Sequence, residues 1–225
     1  MPTRLDQREY RKIDIRNIET RTNDDGQMIV EGYATTFNQP YTLFEDERAI
    51  FDEQVDRNAF AETDLGDVIM QYNHEGRVFA RTRNGTLEIE PDEHGLKIRA
   101  YLGGTEIGRQ LYEEIAGGYT DRMSFGFTVA EDDNKRGKAE DGRIQILRTI
   151  TKIGKLYDVS AVSLPANDAT EISARNTGDG LIAAAMEEIR AEEERERAKQ
   201  AEAERRIAAL EKLNNLIKEV KHDEV

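Results

Sequence analysis

Three side chains suited to acyl transfer stand far apart in this 225-residue chain: His74, Ser124 and Asp158. A serine hydroxyl attacks a carbonyl only when a base within hydrogen-bond reach takes its proton, and an acid commonly fixes that base's tautomer. The chain holds three histidines, four serines and no cysteine, so a nucleophile and its base come from a short list.

Ser124 opens a strand-like run, Arg122-Met-Ser-Phe-Gly-Phe, in which Ser124, Gly126 and Thr128 share one face. Phe125, Phe127 and Val129 share the other and can anchor the strand in a core. Gly126 leaves room for a substrate backbone. The glycine-bearing loop 117–122 offers backbone N–H groups, or the Arg122 guanidinium, to an oxyanion. The plainer reading is a serine satisfied at a strand end.

His74 follows the apolar run Val68-Ile-Met and precedes Glu75-Gly76, a position held by a sheet yet open to a cleft. Its plainer reading is a surface-loop histidine. His94 in a turn and His222 in a tail are poorer bases, and scattered histidines without cysteine give no metal-ligand spacing. Asp158 shares a strand face with Ser160; alone it is a solubility device, beside a histidine it can orient the imidazole. The sequence has no Gly-x-Ser-x-Gly elbow, phosphate loop or dinucleotide fingerprint. Those absences remove α/β-hydrolase, nucleotide and dinucleotide readings.

The elements that must position these groups are mostly short strands. From Ile13 to about residue 167, alternating runs are broken by turn chemistry, as at Asp25-Gly26 and between 85–90 and 95–102, which read as a hairpin. Thr105 caps a helix whose Ile107, Leu111 and Ile115 share a face and which Gly117-Gly118 ends. A shorter helix is expected over 56–62, and a mobile charged loop over 132–142. The fold class is mainly β with helices (α+β).

After residue 167 the chain changes character. Residues 176–180 read as a linker, and 181–225, without Gly or Pro, as one charged helix with i, i+4 pairs such as Glu202–Arg206. Leu210, Leu213, Ile217 and Val220 make a short apolar seam, but extending it backward lands on glutamates, so a continuous coiled coil is not supported.

The net charge is −14, of which only −3 lies in 181–225. Such an acidic body disfavours nucleic-acid binding and favours basic partners. With no cysteine, apolar leader or membrane-length stretch, the expectation is a soluble cytoplasmic protein with no membrane partner and no cofactor.

The order His74, then Ser124, then an acid within Leu156-Tyr-Asp-Val-Ser-Ala-Val-Ser-Leu-Pro-Ala-Asn resembles the prohead maturation proteases of tailed bacteriophages. Glu31-Gly-Tyr-Ala-Thr-Thr-Phe-Asn, Asn73-His-Glu and Arg122-Met-Ser-Phe-Gly-Phe extend that resemblance over roughly residues 12–175. It implies a closed, mainly antiparallel β-barrel ringed by helices, as in the herpesvirus assemblins, with a protease domain at 1–175; within it the polar residues 1–12 read, by composition, as a flexible arm or a frayed first strand. It implies a serine endopeptidase inside the immature capsid in the host cytoplasm. Its partners would be the major capsid protein, whose scaffold segment it cuts, and a second copy of itself through self-cleavage or a homodimer. Ser124, His74 and Asp158 would form the catalytic set, Arg122 would support the oxyanion, and the tail would bind scaffold. Assemblins use a second histidine as third member; here the family places an acid at Asp158, with Glu75 the alternative. A non-enzymatic capsid-assembly or scaffold factor with a helical oligomerisation tail stays open beside the enzyme. A general cytosolic hydrolase lacks a motif.

Overall fold

The computed structural model describes residues 8–13, 18–163 and 168–222, with side-chain detail for 8–11, 18–163, 180–192 and 194–210. The strands are β1 (Arg8–Ile13), β2 (Ile18–Thr22), β3 (Met28–Thr36), β4 (Tyr41–Glu45), β5 (Ala49–Val55), β6 (Ile69–Tyr72), β7 (Glu75–Arg81), β8 (Leu87–Pro91), β9 (Gly95–Tyr101), β10 (Arg122–Lys138) and β11 (Ile144–Val162). Helix α1 spans Glu106–Ala116 and helix α2 spans Asp168–His222. The architecture is mainly β with two helices.

A seven-stranded sheet runs β1-β10-β11-β5-β4, with β6 beside β11 and β7 beside β6; a four-stranded sheet runs β2-β3-β9-β8. Most ladders are antiparallel, but β11 takes β5 in parallel along Ile144–Ile150 and β6 in parallel along Asp158–Ala161. Among the described residues neither sheet closes on itself, which corrects the expected closed antiparallel barrel. Both sheets instead turn apolar faces into one core: Val30, Leu96 and Ile98 from the smaller, Phe125, Phe127 and Val159 from the larger. Phe125 and Phe127 are stacked with ring centroids 4.4 Å apart. The two phenylalanines stand two residues apart on β10, so strand alternation turns both rings to the core face.

The 87–101 hairpin and α1 form as their residues dictate. Asp92 Oδ1 accepts from the backbone N–H groups of His94 and Gly95 at 2.8 and 3.0 Å, closing the β8–β9 turn. Thr105 Oγ1 accepts from Gly108 N at 3.0 Å, and Gly118 leaves the helix at φ 74°.

Three expectations need correction. Residues 8–12 are not an arm but the first strand, the other reading of this segment: β1 pairs with β10 from Arg8↔Thr128 to Ile13↔Met123. Its described inward side chains are Glu9 and Arg11, buried among Glu53 of β5 and Arg148 of β11. Arg11 Nε donates to Glu53 Oε1 at 2.5 Å, and Arg148 Nη1 donates to Glu9 and Glu53 carboxylates at 2.9 Å each. A strand whose buried face is charged carries no local hydrophobic period, so its pairing shows only in three dimensions. Residues 1–7 lie outside the described residues.

The charged stretch 132–142 is not a loop. β10 and β11 run through most of it as a long hairpin, with Ile146 and Ile150 buried, Asp132 paired with buried Arg148, and Asp133, Lys135, Arg136 and Lys138 exposed. Residues 56–62 are a series of turns, such as Ala59 N to Asp56 O at 3.0 Å, and carry Phe60 into the core.

The chain divides into two units, Met1–Asp179 and Gly180–Val225. Helix α2 runs through residues 176–180, read above as a linker, although glycine disfavours a helix interior by about 1 kcal/mol. Within the second unit Leu210 of the apolar seam is exposed, and the side chains of Leu213, Ile217 and Val220 lie outside those described. No described helix is long and apolar enough to cross a membrane.

Candidate active site

Ser124 lies on β10 between two neighbours, paired with Lys12 of β1 on one side and Ser160 of β11 on the other. Its side chain is buried on the face opposite Phe125 and Phe127.

His74 arrives from a different element. β6 and β7 are joined by the two-residue turn Asn73-His74, and Tyr72 pairs with Glu75 across it. Both turn residues have positive φ, 49° for Asn73 and 62° for His74, as the type I′ turn requires. Asparagine tolerates this region well; histidine there carries roughly 1 kcal/mol of strain. The turn is fastened to β11: Asn73 N donates to Ala161 O at 3.0 Å, and Asn73 Oδ1 accepts from Ser163 N at 3.3 Å. Tyr72 donates its hydroxyl to Ser163 Oγ at 2.9 Å.

This turn folds the imidazole over the sheet. Nε2 of His74 is 2.6 Å from Ser124 Oγ, and Nδ1 is 2.5 Å from Asp158 Oδ1. A carboxylate only accepts, so Nδ1 carries the proton and Nε2 is left to receive one from the serine. The ring of Tyr10 meets the imidazole edge to face, centroids 4.5 Å apart.

Asp158 is fully buried on β11. Burial pushes its carboxyl up, but the hydrogen bond and charge of His74, the Ser160 hydroxyl and Arg8 outweigh this and hold it below the ordinary aspartate range. Ser160 Oγ donates to Oδ1 at 2.7 Å, and the Arg8 guanidinium pairs with Oδ2. Asp158 is therefore an anion at neutral pH in a site where its two oxygens have different partners.

The structure thus brings His74, Ser124 and Asp158 together. Arg122 stands two residues before Ser124, its Nε 3.7 Å from Asp121 Oδ1. Glu75, the alternative acid, is exposed and faces a neighbouring cleft of about 500 Å³ with Phe79, Ile107 and Leu111. His94 sits at the other sheet, its ring 4.6 Å from that of Tyr33, and His222 has no described side chain. Among the described residues no cluster of His, Asp and Glu could hold a metal ion.

Two features were missed. The β1 strand contributes Arg8 and Tyr10, and its Arg11 carbonyl oxygen lies 2.8 Å from Ser124 Oγ as a second acceptor for the serine proton. Nothing local marks these residues, because their roles depend on a partner strand over a hundred positions away. The Gly126 position also differs from expectation. A Cβ there would collide with Asp158 Oδ2 and lie 2.9 Å from Tyr10 Cε1, so the vacant space admits the acid and β1, not a substrate backbone.

Chemically, the arrangement can abstract a hydroxyl proton, hold the resulting imidazolium against a buried anion, and return the proton to a leaving group.

A family model described as caudovirus prohead serine protease matches residues 16–181. A solved structure of the bacteriophage T4 capsid assembly protease, gp21, is similar with a TM-score of 0.38 and 12% identity, covering 71% of this chain and 97% of that one. No curated protein matches the sequence.

Proposed function

Since the chain belongs to the caudovirus prohead serine protease family, a family of capsid maturation, we propose that it is a Ser-His-Asp endopeptidase with Ser124 as nucleophile, His74 as base and Asp158 as orienting acid. One observation carries this assignment: the His74 imidazole stands 2.6 Å from Ser124 Oγ and 2.5 Å from Asp158 Oδ1.

In this reading Ser124 Oγ attacks the scissile carbonyl carbon while its proton passes to His74 Nε2. The imidazolium is stabilised by Asp158, whose low-lying carboxyl stays ionised throughout. Collapse of the tetrahedral intermediate breaks the C–N bond, and His74 returns the proton to the departing amine. Water, deprotonated by the same imidazole, then releases the acyl group from Ser124. Backbone N–H groups beside Ser124, with Arg122, are the proposed oxyanion donors.

The substrate we propose is the scaffold segment of the major capsid protein, cut inside the immature capsid in the infected cell, followed by the protease itself. The Glu- and Arg-rich unit Gly180–Val225 is the proposed scaffold-binding tether. Co-expression of capsid precursor with the Ser124→Ala variant tests the nucleophile: precursor should accumulate uncut, and normal processing would contradict the assignment. Removal of 181–225 should keep the protease out of proheads while leaving cleavage of a peptide intact; undiminished incorporation would remove the tether.

A further inference from the structure

Strand β1 touches each member of the proposed catalytic set, and among its described side chains Arg8 is the one that brings a charge to it. The Arg8 guanidinium pairs with Asp158 Oδ2, the oxygen that His74 does not use. Two rings hold it there: its central carbon lies 4.9 Å from the Tyr10 centroid and 4.7 Å from the Tyr157 centroid. Tyr10 comes from β1 and Tyr157 from β11, so the guanidinium is clasped by the two strands that flank β10. The missing side chain at Gly126 completes the channel, since a Cβ there would lie 3.0 Å from Arg8 Nε.

Building on the proposed assignment of His74 and Asp158, we infer that Arg8 is a positioning residue for the reaction, fixing Asp158 in one rotamer and tempering the field that this carboxylate exerts on His74. The first part follows from burial. Asp158 has no access to water, so an Oδ2 without Arg8 would be an unpaired anionic oxygen, and the carboxylate would turn to share its donors. The second part is Coulombic. A bare carboxylate beside an imidazole favours imidazolium, which cannot accept the serine proton. A guanidinium on the far oxygen withdraws part of that negative field, keeping the base free at lower pH.

Among the described residues the groups facing His74 are few. Asp158 comes from β11, Ser124 from β10, and Tyr10 from β1 with Arg8 behind the carboxylate. Glu75 and Arg77 follow on β7 and are exposed, where solvent screens them. Burial raises the Tyr10 hydroxyl, so that group stays neutral across the working range. Among these described groups, Arg8 is the cation hydrogen-bonded to the orienting acid.

Replacing Arg8 by methionine, which keeps the apolar stem between the tyrosines, should move the acid limb of the kcat/KM profile up by roughly half to one pH unit. The same change should lower the plateau several-fold, and Arg8→Lys should return the limb most of the way. A purely structural role would lower activity equally at all pH values. The decisive reading needs no turnover: the His74 ring is titrated by NMR in Ser124→Ala with and without Arg8→Met, its signal assigned by its loss in His74→Asn. A higher midpoint in the double variant supports the inference, and an unchanged or lower midpoint overturns it. If Arg8→Met does not fold, Arg8→Gln makes the same comparison, keeping a donor without the charge. Turnover surviving in Ser124→Ala would end the nucleophile assignment without affecting this titration, so the two ideas fail separately.

Discussion

Ser124 Oγ lies 2.6 Å from His74 Nε2, although fifty positions of chain separate them. The serine has one proton and two acceptors in range, the imidazole and the Arg11 carbonyl at 2.8 Å. With His74 neutral the proton goes to the imidazole, the productive direction; with His74 charged it turns to Arg11.

From this pairing, Ser124→Ala and His74→Ala should each lower turnover by about 10⁶, and the double variant should be no worse than either. Asp158→Asn should cost about 10⁴, because the amide can hold the ring but favours the wrong tautomer. Single-turnover assays on a scaffold peptide check the series.

The turn that aims His74 should be sensitive at Asn73. A β-branched residue at φ 49° is strained, so Asn73→Val should destabilise the fold by about 1–2 kcal/mol and lower kcat through a displaced imidazole. Asn73→Gly should hold the turn and retain most activity. Thermal melts and kcat for the pair separate backbone strain from loss of the Ser163 contact.

At Gly126 even a methyl group has no room. Gly126→Ala should destabilise by about 1–3 kcal/mol through overpacking and lower turnover more than 10-fold by displacing Asp158. A melt lowered with unchanged kcat would show that β1 had moved instead of the acid.

The ionic cluster under β1 sets an acid limit on stability. Burial pushes Glu9 up, but the charges and hydrogen bonds of Arg11 and Arg148 bring it from 4.5 down to about 2. A depressed folded-state value stabilises above the unfolded one and is lost as pH falls. The contribution, on the order of 3 kcal/mol, should be complete above about pH 5 and vanish between about pH 4.5 and 2. Urea unfolding of wild type and Glu9→Gln should differ at pH 7 and converge toward pH 2.

What the sequence disclosed follows from the range of the interactions. Helix α1 and the β8–β9 hairpin were legible because Thr105, Gly118 and Asp92 act within a few residues of themselves. The candidate chemistry was narrowed by scarcity, since few histidines and serines compete. The burial of β1 was not legible because its described inward side chains are Glu9 and Arg11, satisfied by each other and by Glu53 and Arg148 from far along the chain. The same holds for Arg8: an arginine in a polar leader becomes part of the site only when β1 lies against β10. The charged end of the β10–β11 hairpin looked like a loop because charge was read without the β5 edge that supports its apolar face. Closure of a barrel likewise depends on long-range pairing, and the parallel β5 and β6 ladders divide the strands otherwise.

The most direct measurement maps covalent attachment. Proheads containing the protease are treated with a fluorophosphonate, and the labelled peptide is sequenced by mass spectrometry. The account predicts one adduct, on Ser124, which disappears in both Ser124→Ala and His74→Ala. An adduct on Ser160 or Ser163 with Ser124 unmodified, or undiminished labelling without His74, would contradict it.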